Sequence, residues 1–145
     1  MEYINAHSLV MNFTTLEPTE IAMDMNNQTQ SGLPRINEPA PDFTALTTDG
    51  EKSLSDYRGK WLVLFSHPAD FTPVCTTEFM AFAKAAPEFA KRNCELLGLS
   101  IDSIHSHIAW MRNIKQNFGV EIPFPIIEDL KMNVANAYGM IHPGA

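Results

Sequence analysis

Three short, mostly apolar runs punctuate the chain: Trp61-Leu62-Val63-Leu64-Phe65, residues 96–101 and residues 124–127. Runs of this length without polar alternation predict strands covered on both faces. Between them the apolar spacing becomes helical. Phe79, Phe82, Ala83, Ala86, Phe89 and Ala90 form one stripe, with Pro87 predicting a kink or restart. Ile104, Ile108, Met111, Ile114 and Phe118 form a second, with Asp102 or Ser103 as its cap and Gly119 as its stop. Val134 and Tyr138 suggest a third helix over 130–139. Ahead of the first run, Asp49-Gly50 marks a hairpin turn. Strands alternating with helices predict an α/β chain with a parallel sheet layered by helices.

Residues 1–33 have weak periodicity and contain the polar run Asn26-Asn27-Gln28-Thr29-Gln30-Ser31-Gly32, too poor in apolar surface to offset its ordering entropy. They are read as a flexible tail, and 34–145 as one domain. The length of 145 residues suits a single core, and 45% apolar with 19% charged residues suits a globular one. No stretch approaches the roughly 18 uninterrupted apolar residues of a spanning helix. A formal charge of -7 disfavours nucleic acid, whose phosphates call for a surplus of Lys and Arg. Two cysteines in an acidic chain with no signal-peptide pattern fit a reducing cytoplasm.

The chemistry concentrates at Thr72-Pro73-Val74-Cys75, before the first helical stripe. Threonine is a favoured N-cap and proline a favoured first helical residue, a register that makes Cys75 the third. The Thr72 hydroxyl is then expected to accept from the Cys75 N–H. The positive end of the helix dipole favours the thiolate, which is the nucleophilic form of cysteine.

The spacing Pro68-x-x-x-Thr72-x-x-Cys75 resembles the active-site motif of the peroxiredoxin family, and Phe71-Thr72-Pro73-Val74-Cys75-Thr76-Thr77-Glu78 is similar to its one-cysteine class. The likeness extends through Leu64-Phe65-Ser66-His67-Pro68, Ser106-His107-Ile108-Ala109-Trp110 and Gly139-Met140-Ile141-His142-Pro143-Gly144. It implies a thioredoxin-like fold and a peroxidase that uses an external thiol reductant, either a thioredoxin-like protein or a small thiol. It implies no cofactor and no metal. Cys75 would attack the peroxide and become a sulfenic acid, with Thr72 hydrogen-bonding the sulfur or peroxide and Pro68 roofing the pocket. His67 matches a pocket histidine. Glu78 matches a residue that orients an arginine lying, in the family, beyond the Gly139 to Gly144 stretch. With Ala145 as the last residue, the resemblance implies an incomplete domain, an open sheet edge and a homodimer only when complete.

Cys94 does not suit a resolving role. If 76–92 is mostly helical at about 1.5 Å per residue, the sulfurs lie on the order of 20 Å apart, whereas a disulfide needs Cα atoms within about 7 Å. His105, His107 and His142 are the one conceivable metal set, and the i, i+2 spacing puts the first two on different helix faces. There is no Cys-x-x-Cys for a disulfide reductase. The leading function is thiol-dependent reduction of hydrogen peroxide or alkyl hydroperoxides. The alternative is a non-catalytic redox sensor or inactive remnant.

Overall fold

The computed structural model describes residues 8–12 and 33–141. One six-stranded sheet contains β1 (Ser8–Asn12), β2 (Thr44–Thr47), β3 (Gly50–Ser53), β4 (Trp61–Ser66), β5 (Cys94–Ser100) and β6 (Ile126–Glu128), in the order β1-β4-β5-β6-β2-β3. The helices are α1 (Pro73–Lys91), α2 (Ile104–Phe118) and α3 (Asn133–Ala137). The three apolar runs become β4, β5 and β6, which are parallel. β2 and β3 form the hairpin, with Gly50 at φ 84 supplying the left-handed conformation the turn needs.

The strands sort their side chains between two cores. On one face Val63, Phe65, Leu96 and Ile126 pack against Phe79 of α1 and Trp110 and Ile114 of α2. On the other, Leu62, Leu64, Leu97, Leu99 and Ile127 pack against Phe43, Leu54, Tyr57, Val134 and Tyr138. Burying each large apolar side chain contributes about 1.5–3 kcal/mol, which commits the buried members of both helical stripes to the sheet, while Phe118 at the end of the second is 57% exposed. Gly98 lets α1 approach closely, because a Cβ there would meet the Phe79 ring at 3.2 Å.

Four details differ from the sequence reading. α1 continues through Pro87 without restarting, since Phe82 and Ala83 before it and Phe89 after it all pack against one core. α3 is shorter than 130–139, because Met132 takes a left-handed φ of 55 and the Asp129 carboxylate accepts from the N–H groups of Val134 and Ala135. β1 lies inside the stretch read as tail. It runs antiparallel to β4, from Ser8 opposite Phe65 to Asn12 opposite Trp61, so the outer edge of β4 is paired where an open edge was expected.

Candidate active site

The carboxyl ends of parallel strands are where open α/β sheets gather their chemistry, and here β4, β5 and β6 all deliver polar groups to that end. β4 ends at Ser66, and the His67 N–H continues the ladder to the Leu99 carbonyl at 3.0 Å. The chain then turns through Pro68 to Phe71. Phe71 has φ 61, a strained conformation for a bulky residue, and leaves its ring exposed. Thr72 is the N-cap of α1, Pro73 its first residue and Cys75 its third.

The cap differs from expectation in one respect. The Thr72 hydroxyl donates to the Ala69 carbonyl at 3.0 Å and makes no cap bond to the helix. The turn brings that carbonyl within reach, and the hydroxyl hydrogen goes to it. The Thr72 carbonyl anchors the helix entry instead, accepting from the Thr76 N–H at 3.0 Å and the Thr76 hydroxyl at 2.8 Å. Thr76 in turn accepts from the indole N–H of Trp110 at 3.1 Å, tying α1 to α2.

Cys75 is 4% exposed and belongs to the cluster containing Phe79 and Trp110. His67, also buried, packs its ring against Phe79 at 4.8 Å and Trp110 at 5.0 Å. The residues expected around the nucleophile therefore occupy the β4–α1 connection and the first turns of α1, with Pro68 exposed at the surface and Glu78 half-buried one turn past Cys75.

The sequence reading does not single out Asp70, and it weighs His107 only as a metal ligand. Asp70 is buried between two histidines: His67 Nε2 lies 2.8 Å from Oδ1, and His107 Nδ1 lies 2.8 Å from Oδ2 and 3.1 Å from Oδ1. His107 Nε2 faces the Ile127 carbonyl at 3.1 Å. The Asp70 N–H donates to Asp102 Oδ2 at 2.9 Å, and the Ser100 hydroxyl shares that oxygen at 2.8 Å. Burial alone would push the Asp70 carboxyl up, but hydrogen bonds from His107, His67 and Ser106, with the charge of His107, hold it well below the usual carboxylate range. The signal was present in Asp70, two residues before the cap, and His107, in the first turn of α2. Only the fold joins them.

His105 is exposed and His107 buried, on different faces of α2 as expected, while His142 lies outside the described residues. His107 instead joins His67 and Asp70, whose potential ligand atoms fall within 4.8 Å of one another. His67 Nε2 and His107 Nδ1 each lie at hydrogen-bond distance from the Asp70 carboxylate, 2.8 Å in both cases.

Cys94 opens β5, half-buried, at the opposite end of the sheet from Cys75. Burial, then the neighbouring Glu95 carboxylate, pushes its thiol up, away from the reactive form. Among the described residues no helix is long and apolar enough to cross a membrane.

The AhpC/TSA family model matches residues 36–145. A peroxiredoxin of Aquifex aeolicus is 67% identical over 112 residues, covering 77% of this chain and 50% of its own length. Peroxiredoxin 2 of Caldanaerobacter subterraneus is 63% identical over 111 residues, again covering 77% of this chain and 50% of its own. Among solved structures, a yeast mitochondrial 1-Cys peroxiredoxin superposes with a TM-score of 0.71 at 52% identity, covering 75% of this chain and 52% of that one. Peroxiredoxin 6 of Arenicola marina gives 0.68 at 40% identity, covering 74% and 50%. The chain spans about half the length of the curated relatives it matches.

Proposed function

The chain belongs to the AhpC/TSA family, with a thioredoxin-like fold, and from that premise we propose that it is a thiol-dependent peroxidase whose nucleophile is Cys75. The observation that carries this reading is Cys75 as the third residue of α1, buried at the carboxyl end of the parallel strands. A hydrogen peroxide or alkyl hydroperoxide molecule enters beside it. The Cys75 thiolate attacks the terminal oxygen, the O–O bond breaks, and the leaving oxygen takes a proton and departs as water or alcohol. Sulfur is oxidised by two electrons to the sulfenic acid, and the peroxide is reduced. An external thiol then attacks the sulfenic sulfur, releasing water and forming a mixed disulfide, and a second thiol frees Cys75.

Thr72 and Pro68 frame the approach to the sulfur, while His67 and Glu78 lie at its margin. Cys94 plays no part, because the unbroken α1 separates it from Cys75. The reductant is a thioredoxin-like protein or a small thiol, and both cysteines being unpaired fits a reducing cytoplasm. The exposed Phe71 and Val74 flanking the site suit an interface with a second copy.

A second reading is a redox module whose Cys75 is oxidised once and not turned over. Continuous peroxide consumption with excess dithiothreitol separates the two. Many turnovers, lost in Cys75→Ser and kept in Cys94→Ser, support the peroxidase. A single equivalent consumed per chain supports the sensor.

A further inference from the structure

The hydrogen-bond partners of the two buried histidines fix where their protons sit. A carbonyl oxygen can only accept, and so can an ionised carboxylate. His107 faces the Ile127 carbonyl through Nε2 and the Asp70 carboxylate through Nδ1, so with Asp70 ionised both of its nitrogens donate. A ring that donates from both nitrogens is an imidazolium. It is fully buried, with Asp70 as its counter-charge. His67 donates from Nε2 to the other side of the same carboxylate. Its Nδ1 is buried and meets no hydrogen-bond partner among the described residues. A proton there would be an unpaired donor on a second buried cation sharing one carboxylate, which is costlier than an empty lone pair.

We propose that Asp70 and His107 are positioning residues: the His107 imidazolium holds Asp70 as its carboxylate, Asp70 fixes His67 in the tautomer protonated at Nε2, and His67 Nδ1 is thereby kept as a bare acceptor for the O–H of an incoming hydroperoxide. The His67 ring lies against Phe79 and Trp110, which share a cluster with Cys75. An acceptor there orients the terminal oxygen before the sulfur attacks. The depressed Asp70 carboxyl agrees with an ionised centre. Asp102 holds the Asp70 backbone in place by accepting from its N–H at 2.9 Å. The role of Nδ1 rests on the peroxidase reading, whereas the proton assignment does not.

The test uses the full 145-residue chain labelled with 15N-histidine at neutral pH, with long-range correlations reporting each imidazole nitrogen. His107 is expected to show two protonated nitrogens, and His67 one protonated Nε2 and one unprotonated Nδ1. Asp70→Asn removes the negative charge that both rings share, so His107 is expected to lose one of its two ring protons. Cys75 oxidation by hydrogen peroxide should slow by about tenfold or more, as when carboxylates that orient functional histidines are removed. His107→Gln should slow it in the same direction. A wild-type spectrum with neutral His107, or with His67 protonated on Nδ1, overturns the proposal whether or not either variant folds. A folded Asp70→Asn that oxidises Cys75 at the wild-type rate overturns the positioning role. A wild type whose Cys75 resists peroxide contradicts the peroxidase reading instead, and the spectra still decide the proton assignment.

Discussion

The two ends of the parallel strands carry the same kinds of residue and use them in opposite ways. At the carboxyl end, Asp70, His67 and His107 are buried and hydrogen-bonded, and Cys75 sits at a helix N-terminus beside them. At the amino end, Lys60 and Glu95 form an ion pair with both side chains close to half exposed, and Cys94 lies at the start of a strand, three residues past the carboxyl end of α1. Burial makes a charge expensive unless it is paired, and once paired its partner becomes indispensable. Exposure makes the same charge cheap and its partner optional. The carboxyl end therefore has fixed polar geometry, and the amino end has interchangeable surface.

This contrast is broken most directly by unpairing each ion pair in turn. Asp70→Asn should destabilise the fold by about 3–5 kcal/mol, because it removes one partner of a buried, hydrogen-bonded pair whose other member, His107, is fully buried. Lys60→Ala should cost about 0–1 kcal/mol. Urea unfolding compares the two, and similar losses would end the distinction between the ends. The pH dependence has a definite sign. A carboxyl held below its unfolded value, about 3.9 for aspartate, contributes stability that is fully present above that pH and is lost as pH falls toward the folded value. The gap between wild type and Asp70→Asn should thus be full at neutral pH and narrow below about pH 4.

Between these extremes lies packing. Gly98→Ala places a methyl 3.2 Å from the Phe79 ring and 3.5 Å from Phe65, under the helix that carries Cys75. Overpacking of this kind costs about 1–3 kcal/mol, and the displaced α1 should also slow Cys75 oxidation. Unchanged thermal unfolding would mean that the two rings shift without penalty. The smallest expected effect is a null one. Native chain treated with peroxide should yield no Cys75–Cys94 linked peptide in mass spectrometry, since the intervening helix at about 1.5 Å per residue holds the sulfurs too far apart.

Much of the scaffold was legible in the sequence because its signals are local. The runs beginning at Trp61, Leu96 and Phe124 announced the parallel strands, Thr72-Pro73 announced the start of α1, and Asp102 or Ser103, of which Ser103 is the cap, and Gly119 bracketed α2. Pro87 misled because a local helix breaker was outweighed by tertiary packing on both sides of it. β1 was illegible because its partner strand is supplied from far along the chain. The site divided in the same way. Cys75 announced itself through neighbours within three positions, whereas Asp70 and His107 are 37 positions apart and meet only when β4 and β5 lie side by side. Nothing local distinguishes such a pair from two solvated residues.

The central claim is that one end of the sheet makes a cysteine reactive and the other does not. The direct measurement is site-resolved trapping in the wild-type chain: stoichiometric hydrogen peroxide in the presence of dimedone, with both cysteine peptides quantified by mass spectrometry. The account predicts the sulfenic adduct on Cys75 and an unmodified Cys94. Adduct on Cys94 with Cys75 untouched would contradict it.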